Sequence, residues 1–348
     1  MQALLSALGV IFGKLMYFIY NTVGFHNYAF SLVLFTIIYK LILLPLSVKQ
    51  IKNTQKMQEF QPELMRLQER YKNDREKLNE MTMKFYQEKG YNPSSGCLPL
   101  LIQFPILIAL FFVIRMPLTY MLELPAKAIG EMVVASVDAG EFSKDTLKNK
   151  NYDSIKDNPI EVYKAYNSSD AYFEIRLVES YKKHPEIVEE NPTLSEEQKE
   201  LLKNLDLKMF NYFNLGIKPS TSLAEIKADA ANQIPAWILL IIAVLTSFFT
   251  SYFMMPNARK KKDANEKKKR KEKDPSEGCA GKSMLLINPV MTLWIGTVAP
   301  SGLAFYWIIN SVLSYIQNLA VNSMIKREKK EKEENEVAKV GNKGSKNG

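Results

Sequence analysis

Five long apolar blocks constrain this chain more than anything else in it. They cover roughly residues 28–48, 97–116, 235–255, 284–299 and 302–321. A bilayer-spanning helix needs about 17–25 predominantly apolar residues, and four blocks have that length. The block at 284–299 is shorter. At 1.5 Å per residue it reaches about 22 Å, less than the ~30 Å hydrocarbon core. Either the bilayer thins there or neighbouring helices shield it. A soluble chain of 348 residues would need a very large core to cover five such blocks. The hydrophobic fraction of 47% conceals this, because the apolar residues are concentrated while the rest of the sequence is highly charged.

One block carries a cation. In FTIIYKLILLP, residues 35–45, Lys40 lies near the middle of an otherwise apolar run. A charge at that depth costs on the order of 2.5–3.5 kcal/mol on insertion scales. Its ammonium would have to climb about 10 Å to reach the interface, farther than a lysine stem extends. A water-filled cavity would lower the cost. Thr36, one helical turn away, shares its face. Gln103 in the second block, Thr246, Ser247, Thr250 and Ser251 in the third, and Asn310, Ser314 and Gln317 in the last add further polarity.

Several chemistries are excluded. The chain has two cysteines, Cys97 and Cys279, and two histidines, His26 and His184. That gives neither a disulfide framework nor a zinc site, and no metal or cofactor is expected. The blocks contain no Asp, Glu or His, so an intramembrane enzyme built on Ser-His, paired carboxylates or zinc has no residues to use. GCAGKS at 278–283 is similar to a phosphate loop only superficially, since Ser276 stands where the first glycine is required.

Charge sets the expected topology. Residues 48–96 hold 10 Lys/Arg and 7 Asp/Glu, residues 256–283 hold 11 and 5, and the tail from 321 holds 8 and 5. Residues 117–234 hold 14 and 20 and are net acidic. Short basic segments stay in the cytoplasm, whereas long domains cross regardless of charge. Five spans, an outside N-terminus and a cytoplasmic C-terminus satisfy this. Residues 1–27 show no convincing cleavage pattern and are expected as an interfacial helix, interrupted by Lys14, Asn21 and His26.

The cytoplasmic segment 49–96 reads as a helical hairpin. Met57, Phe60, Leu64, Leu67 and Tyr71 form one apolar stripe, and Leu78, Met81 and Phe85 a second. Asn73-Asp74 offers the break and Gly90 the stop. The loop 256–283 is low-complexity and basic, with Lys260, Lys261, Lys262, Lys268, Lys269 and Arg270 at its centre. Such clusters, like the tail 322–348, pair with phosphates of ribosomal RNA or anionic lipid. The external region 117–234 contains TLSEEQKELLKNL, in which Ser195 and Gln198 have capping-box spacing.

Four stretches resemble one family, the YidC/Oxa/Alb membrane protein insertases. They are GYNPSSGCLPLLIQFPILIAL at 90–110, APSGLAFYWIINSVLSYIQNLAV at 299–321, FTIIYKLILLPLSVKQIKNTQKMQEFQPELMRLQERY from 35, and FNLGIKPS at 213–220. The family usually has arginine where this chain has Lys40, which keeps the charge but removes the planar five-donor fork. Residues 130–205 resemble the family core weakly, so a short linker replacing 135–205 is expected to preserve function.

The resemblance implies an all-α polytopic membrane protein: a five-helix insertase core with a cytoplasmic helical hairpin and an N-terminal interfacial helix, in a bacterial plasma membrane. It implies a membrane protein insertase and chaperone that passes nascent membrane proteins through a polar groove into the bilayer, without bond-breaking chemistry. The groove would use Lys40, Thr36, Gln103, Trp307, Asn310, Ser314, Gln317, Thr246 and Thr250. Phe60, Leu64, Arg66 and Arg70 would form a cytoplasmic docking face. The implied partners are nascent membrane proteins, the ribosome, a Sec-type translocon, the signal recognition particle receptor and anionic lipids. A small-anion transporter or channel with Lys40 as binding charge is the competing class, and the inverted repeats such proteins often show are not evident.

Overall fold

The structure, a computed structural model, describes residues 2–91, 98–147, 151–210, 212–254 and 275–344. Cys97, Lys260, Lys261, Lys262, Lys268, Lys269 and Arg270 lie outside the described residues. The described chain is almost wholly helical. Its helices are α1 (Gln2–Asn21), α2 (Tyr28–Ile42), α3 (Leu44–Arg70), α4 (Arg75–Glu88), α5 (Leu98–Arg115), α6 (Pro117–Tyr120), α7 (Ala126–Asp138), α8 (Pro159–Ser169), α9 (Phe173–Lys183), α10 (Glu186–Glu189) and α11 (Glu196–Asn204). The short strands β1 (Lys208–Met209) and β2 (Phe213–Asn214) follow, then α12 (Leu223–Ala228), α13 (Ala230–Met254), α14 (Pro275–Gly296) and α15 (Ser301–Gly344). Two compact units result. The first comprises Met1–Ile38, Phe104–Phe248 and Ser283–Asn310; the second comprises Tyr39–Gln103, Phe249–Lys282 and Ser311–Gly348.

The apolar block over 28–48 is divided between two helices. α2 stops at Ile42, and the axis bends by 67° into α3. Pro45 is the second residue of α3. Its ring removes an N–H and crowds the carbonyl four residues back, so the helix cannot run through it unbent. Among the described residues α13 alone is long and apolar enough to cross a bilayer by itself; α2 with the start of α3 passes only as the bent pair. Shorter apolar helical stretches cover Ala7–Asn21, Gln103–Arg115 and Leu286–Gly296.

α13 displays two faces. Ala236, Leu239, Leu240, Ala243 and Ser247 are buried. Ile234, Ile238, Ile241, Leu245, Phe249 and Tyr252 recur every three or four residues and are exposed. A water-facing helix seldom carries such a stripe, whereas lipid accepts it. α14 begins well ahead of its apolar block, and α15 runs on past Val321 to Gly344. That extension is charged but has no Pro, and pairs such as Lys330–Glu334 (3.6 Å, four residues apart) support an exposed helix.

Residues 126–204 fold into a helical core of the first unit. Ile129, Met132, Val133, Val162, Tyr166, Leu177 and Leu202 are fully buried, each contributing about 1.5–3 kcal/mol if apolar burial is complete. α7 and α8 approach closely at Gly130, where a Cβ would sit 1.8 Å from the Pro159 carbonyl oxygen. α11 has the expected capping box, Ser195 and Gln198 each bonding the other's backbone amide. α1 packs on α6 in the same unit; a Cβ on Gly13 would meet the Tyr120 carbonyl oxygen at 1.7 Å.

Candidate functional site

In the second unit α2 and α15 meet at Lys40 and Ser314. Lys40 projects from the last turn of α2, and its Nζ donates to Ser314 Oγ on α15 at 2.7 Å. Among the described residues no carboxylate pairs with it. An ammonium carries three donors, so the pair with Ser314 leaves capacity for an arriving acceptor. Gln317, three residues beyond Ser314, lies on the same face of α15. Among the described residues its Nε2 is buried without a hydrogen-bond partner, and such a donor calls for an explanation. Thr250 donates to the Ser311 carbonyl at 3.5 Å, and Phe253 meets Tyr315 with ring centroids 5.8 Å apart. Gln103 is half-buried near the start of α5.

The other singled-out residues belong to the first unit. Thr36 is fully buried and donates to the Leu32 carbonyl at 2.7 Å. Thr246 donates to the carbonyls of Ile242 and Ala243 at 2.9 and 3.0 Å. These hydroxyls are committed to their own helices. Trp307 and Asn310 are half-buried on α15.

The hairpin closes on an aromatic cluster. Leu64 and Phe85 are buried. Phe60 meets Phe85 and Tyr91 edge-on at 5.9 and 6.2 Å. Lys89 Nζ lies 5.5 Å from the ring centroids of both Phe60 and Phe85 and 2.8 Å from Glu63. Asp74 caps α4 by accepting from the Lys77 amide, so the break falls where Asn73-Asp74 predicts it. Gly90, with φ +58°, ends the hairpin. Arg66 and Arg70 are exposed, one turn apart on α3. Phe60 and Leu64 thus seal the hairpin from inside, and Arg66 and Arg70 face outward.

Sequence reasoning missed two constellations. Lys52 pairs with Glu328 at 3.0 Å and Gln55 bonds Asn322, tying α3 to the charged extension of α15. Glu174 of α9 is wholly buried and accepts from the amides of Leu118 and Thr119 at 2.9 and 3.1 Å and from the Thr119 hydroxyl. Burial pushes its carboxyl up to about 7, against these three donors and the Arg115 charge. No local pattern announces either constellation, since the partners lie far apart in sequence.

Residues 18–330 match the family described as 60Kd inner membrane protein. The chain belongs to that family. Over 87 residues, 25% of this chain, it is 54% identical to the membrane protein insertase YidC of Clostridium perfringens (strain 13 / Type A), covering 37% of that protein. Over 85 residues, 24% of this chain, it is 51% identical to the insertase of the same name from Treponema denticola, covering 15% of it. Over 89 residues, 26% of this chain, it is 48% identical to that of Fusobacterium nucleatum subsp. nucleatum, covering 43%. The matched stretches therefore span less than half the length of these relatives. Family membership agrees with the mainly helical architecture and with apolar helices suited to an inner membrane.

Proposed function

We propose that this chain is a membrane protein insertase. Five spans hold a polar groove that admits a nascent membrane protein's external tail and releases the segment sideways into lipid. The observation that carries the reading is the Lys40–Ser314 pair with the unpartnered amide of Gln317 beside it. A cation and an orphaned donor on otherwise apolar helices suit a hydrated, anion-accepting surface. The N-terminus is outside and the C-terminus cytoplasmic, as the basic segments require. The test is reconstitution of the purified chain in liposomes with a short single-span client. Insertion supports the reading; ion flux without insertion overturns it in favour of a channel.

The hairpin is proposed as the docking face for targeting factors, presented by Arg66 and Arg70. Leu64→Asp should collapse it, because deleting a buried leucine costs about 2–5 kcal/mol and the unpaired charge adds to that. Hydrogen exchange over 50–90 should rise and insertion should fall at unchanged protein level. Normal insertion by a stably accumulating variant would count against a role for the hairpin.

The segment 259–273 and the tail from Lys326 are proposed to hold ribosomal RNA or anionic lipid. Ribosome co-sedimentation should fall steeply between about 50 and 200 mM salt, as counterion release dictates. It should also fall on truncation after Asn322. Salt-insensitive binding that survives both truncation and neutralisation of 259–273 would eliminate this contact.

A further inference from the structure

Two turns in the first unit present phenylalanine outward at positive φ. Phe25, between α1 and α2, has φ +51° and is 79% exposed. Phe210, directly after β1, has φ +55° and is 85% exposed. Bulky L-residues rarely adopt this region, because Cβ crowds the carbonyl. Phe25 stacks on Phe30 with centroids 6.2 Å apart, and Phe30 is itself exposed. Tyr212 is exposed and meets Phe213 edge-on at 4.9 Å. Among the described residues Phe210 meets no other ring, and its side chain is left facing outward.

The base of this β-hairpin is fastened on both sides to the ends of apolar helices. Upstream, Tyr20 in the last turn of α1 donates to the Asn204 carbonyl at 3.0 Å and packs against His26 at 5.4 Å, just before α2 begins. Downstream, the amides of Ser301 and Gly302 at the start of α15 donate to the carbonyls of Ile217 and Leu215, both at 2.7 Å. Ser301 Oγ also donates to the Asn214 carbonyl at 2.7 Å. The Leu215 amide bonds the Leu207 carbonyl at 3.0 Å and closes the ladder. The ends of α1 and α15 therefore meet at the hairpin base. Four residues separate Asp206 from Phe210, so the tip lies within about 14 Å of that base.

We propose that the β1–β2 tip is a lipid anchor, with Phe210 and Tyr212 entering the headgroup layer of the outer leaflet and Phe25 and Phe30 lying in the same layer. The occupant follows from continuity: Ile11 and Phe18 on α1 and Phe30 on α2 are exposed large apolar side chains, and the tip is held beside the end of α1. The chemistry fits as well. A tyrosine with an apolar ring and a polar end suits the membrane–water boundary, and exposed Lys208 beside the tip suits anionic headgroups. The anchor would fix the depth and tilt of the external core, a role separate from client insertion, and it rests on the membrane-spanning reading above.

The test is spin-label accessibility of the full chain in nanodiscs of phosphatidylethanolamine and phosphatidylglycerol. Single labels are placed by Phe210→Cys, Tyr212→Cys, Glu197→Cys and Leu245→Cys in a Cys97→Ser, Cys279→Ser background. Collisions are compared between oxygen, which concentrates in lipid, and a water-soluble nickel chelate. The labels at 210 and 212 should favour oxygen several-fold over the Glu197 reference and less than the Leu245 reference on α13. Values equal to those at Glu197 overturn the anchor. Protection from both reagents also overturns it, because a protein then covers the tip. A water-like signal at Leu245 overturns the spanning reading itself, and the anchor with it.

Discussion

Lys40→Glu should nearly abolish insertion of clients with acidic tails while leaving neutral-tailed clients much less affected. Lys40 Nζ is held by the Ser314 hydroxyl, and no described carboxylate neutralises it. In a partly hydrated cavity an ion pair at 4 Å is worth about 4 kcal/mol before desolvation. If a net ~1.4 kcal/mol survives, the charge changes capture about tenfold. Lys40→Ala should therefore slow acidic-tailed clients by about tenfold. Lys40→Glu should be worse, because repulsion replaces attraction. Lys40→Arg should stay active, since the guanidinium keeps the charge and one of its N–H groups can donate to Ser314. The measurement is protease protection of matched clients differing only in tail charge. Equal impairment of both client classes by Lys40→Ala would mean that Lys40 hydrates or packs the helices and does not read charge.

Local signals were legible in the sequence, and long-range ones were not. The hairpin break was readable because Asp74 caps α4 through a residue three positions on. The same holds for Ser195 and Gln198 at α11. Pro45 was visible, but the 67° bend it accompanies was not, since a proline sets where a helix breaks and its surroundings set the angle. The length of α15 was missed for another reason. Its basic tail lies beyond the apolar block and has no apolar periodicity, yet Lys330–Glu334 and the tie from Lys52 to Glu328 favour a continued helix. At the candidate site Lys40 stood out by its cost in an apolar run, while Ser314 was one polar residue among several. The bond joining them spans 274 positions. The helical core over 126–204 was the least legible part. Residues 130–205 looked dispensable because they lack the family's motifs, but Glu174 within them is the buried acceptor for Leu118 and Thr119.

Glu174→Ala should destabilise the first unit strongly. It strands two buried amides and the Thr119 hydroxyl, at about 1–3 kcal/mol for each unsatisfied group. The melting temperature of the detergent-purified chain should fall by about 10 °C. Replacing 135–205 by a short linker removes the same acceptor and should lower stability similarly, contrary to the expectation from family motifs alone. Glu174→Gln isolates the charge. Burial raises the folded-state value to about 7 from an ordinary 4.5. The folded chain then binds more protons than the unfolded chain between those values, so stability falls as pH rises through this window. The contribution is fully present below about 4.5, and about 3 kcal/mol is lost by the time the pH has passed 7. Other buried carboxyls titrate nearby; Glu179 is also raised by burial. The quantity to measure is therefore the difference in melting temperature between wild type and Glu174→Gln from pH 4.5 to pH 8. Wild type should lose stability relative to the variant as pH increases. A constant difference would mean that the amides, the Thr119 hydroxyl and Arg115 outweigh burial and keep Glu174 ionised throughout.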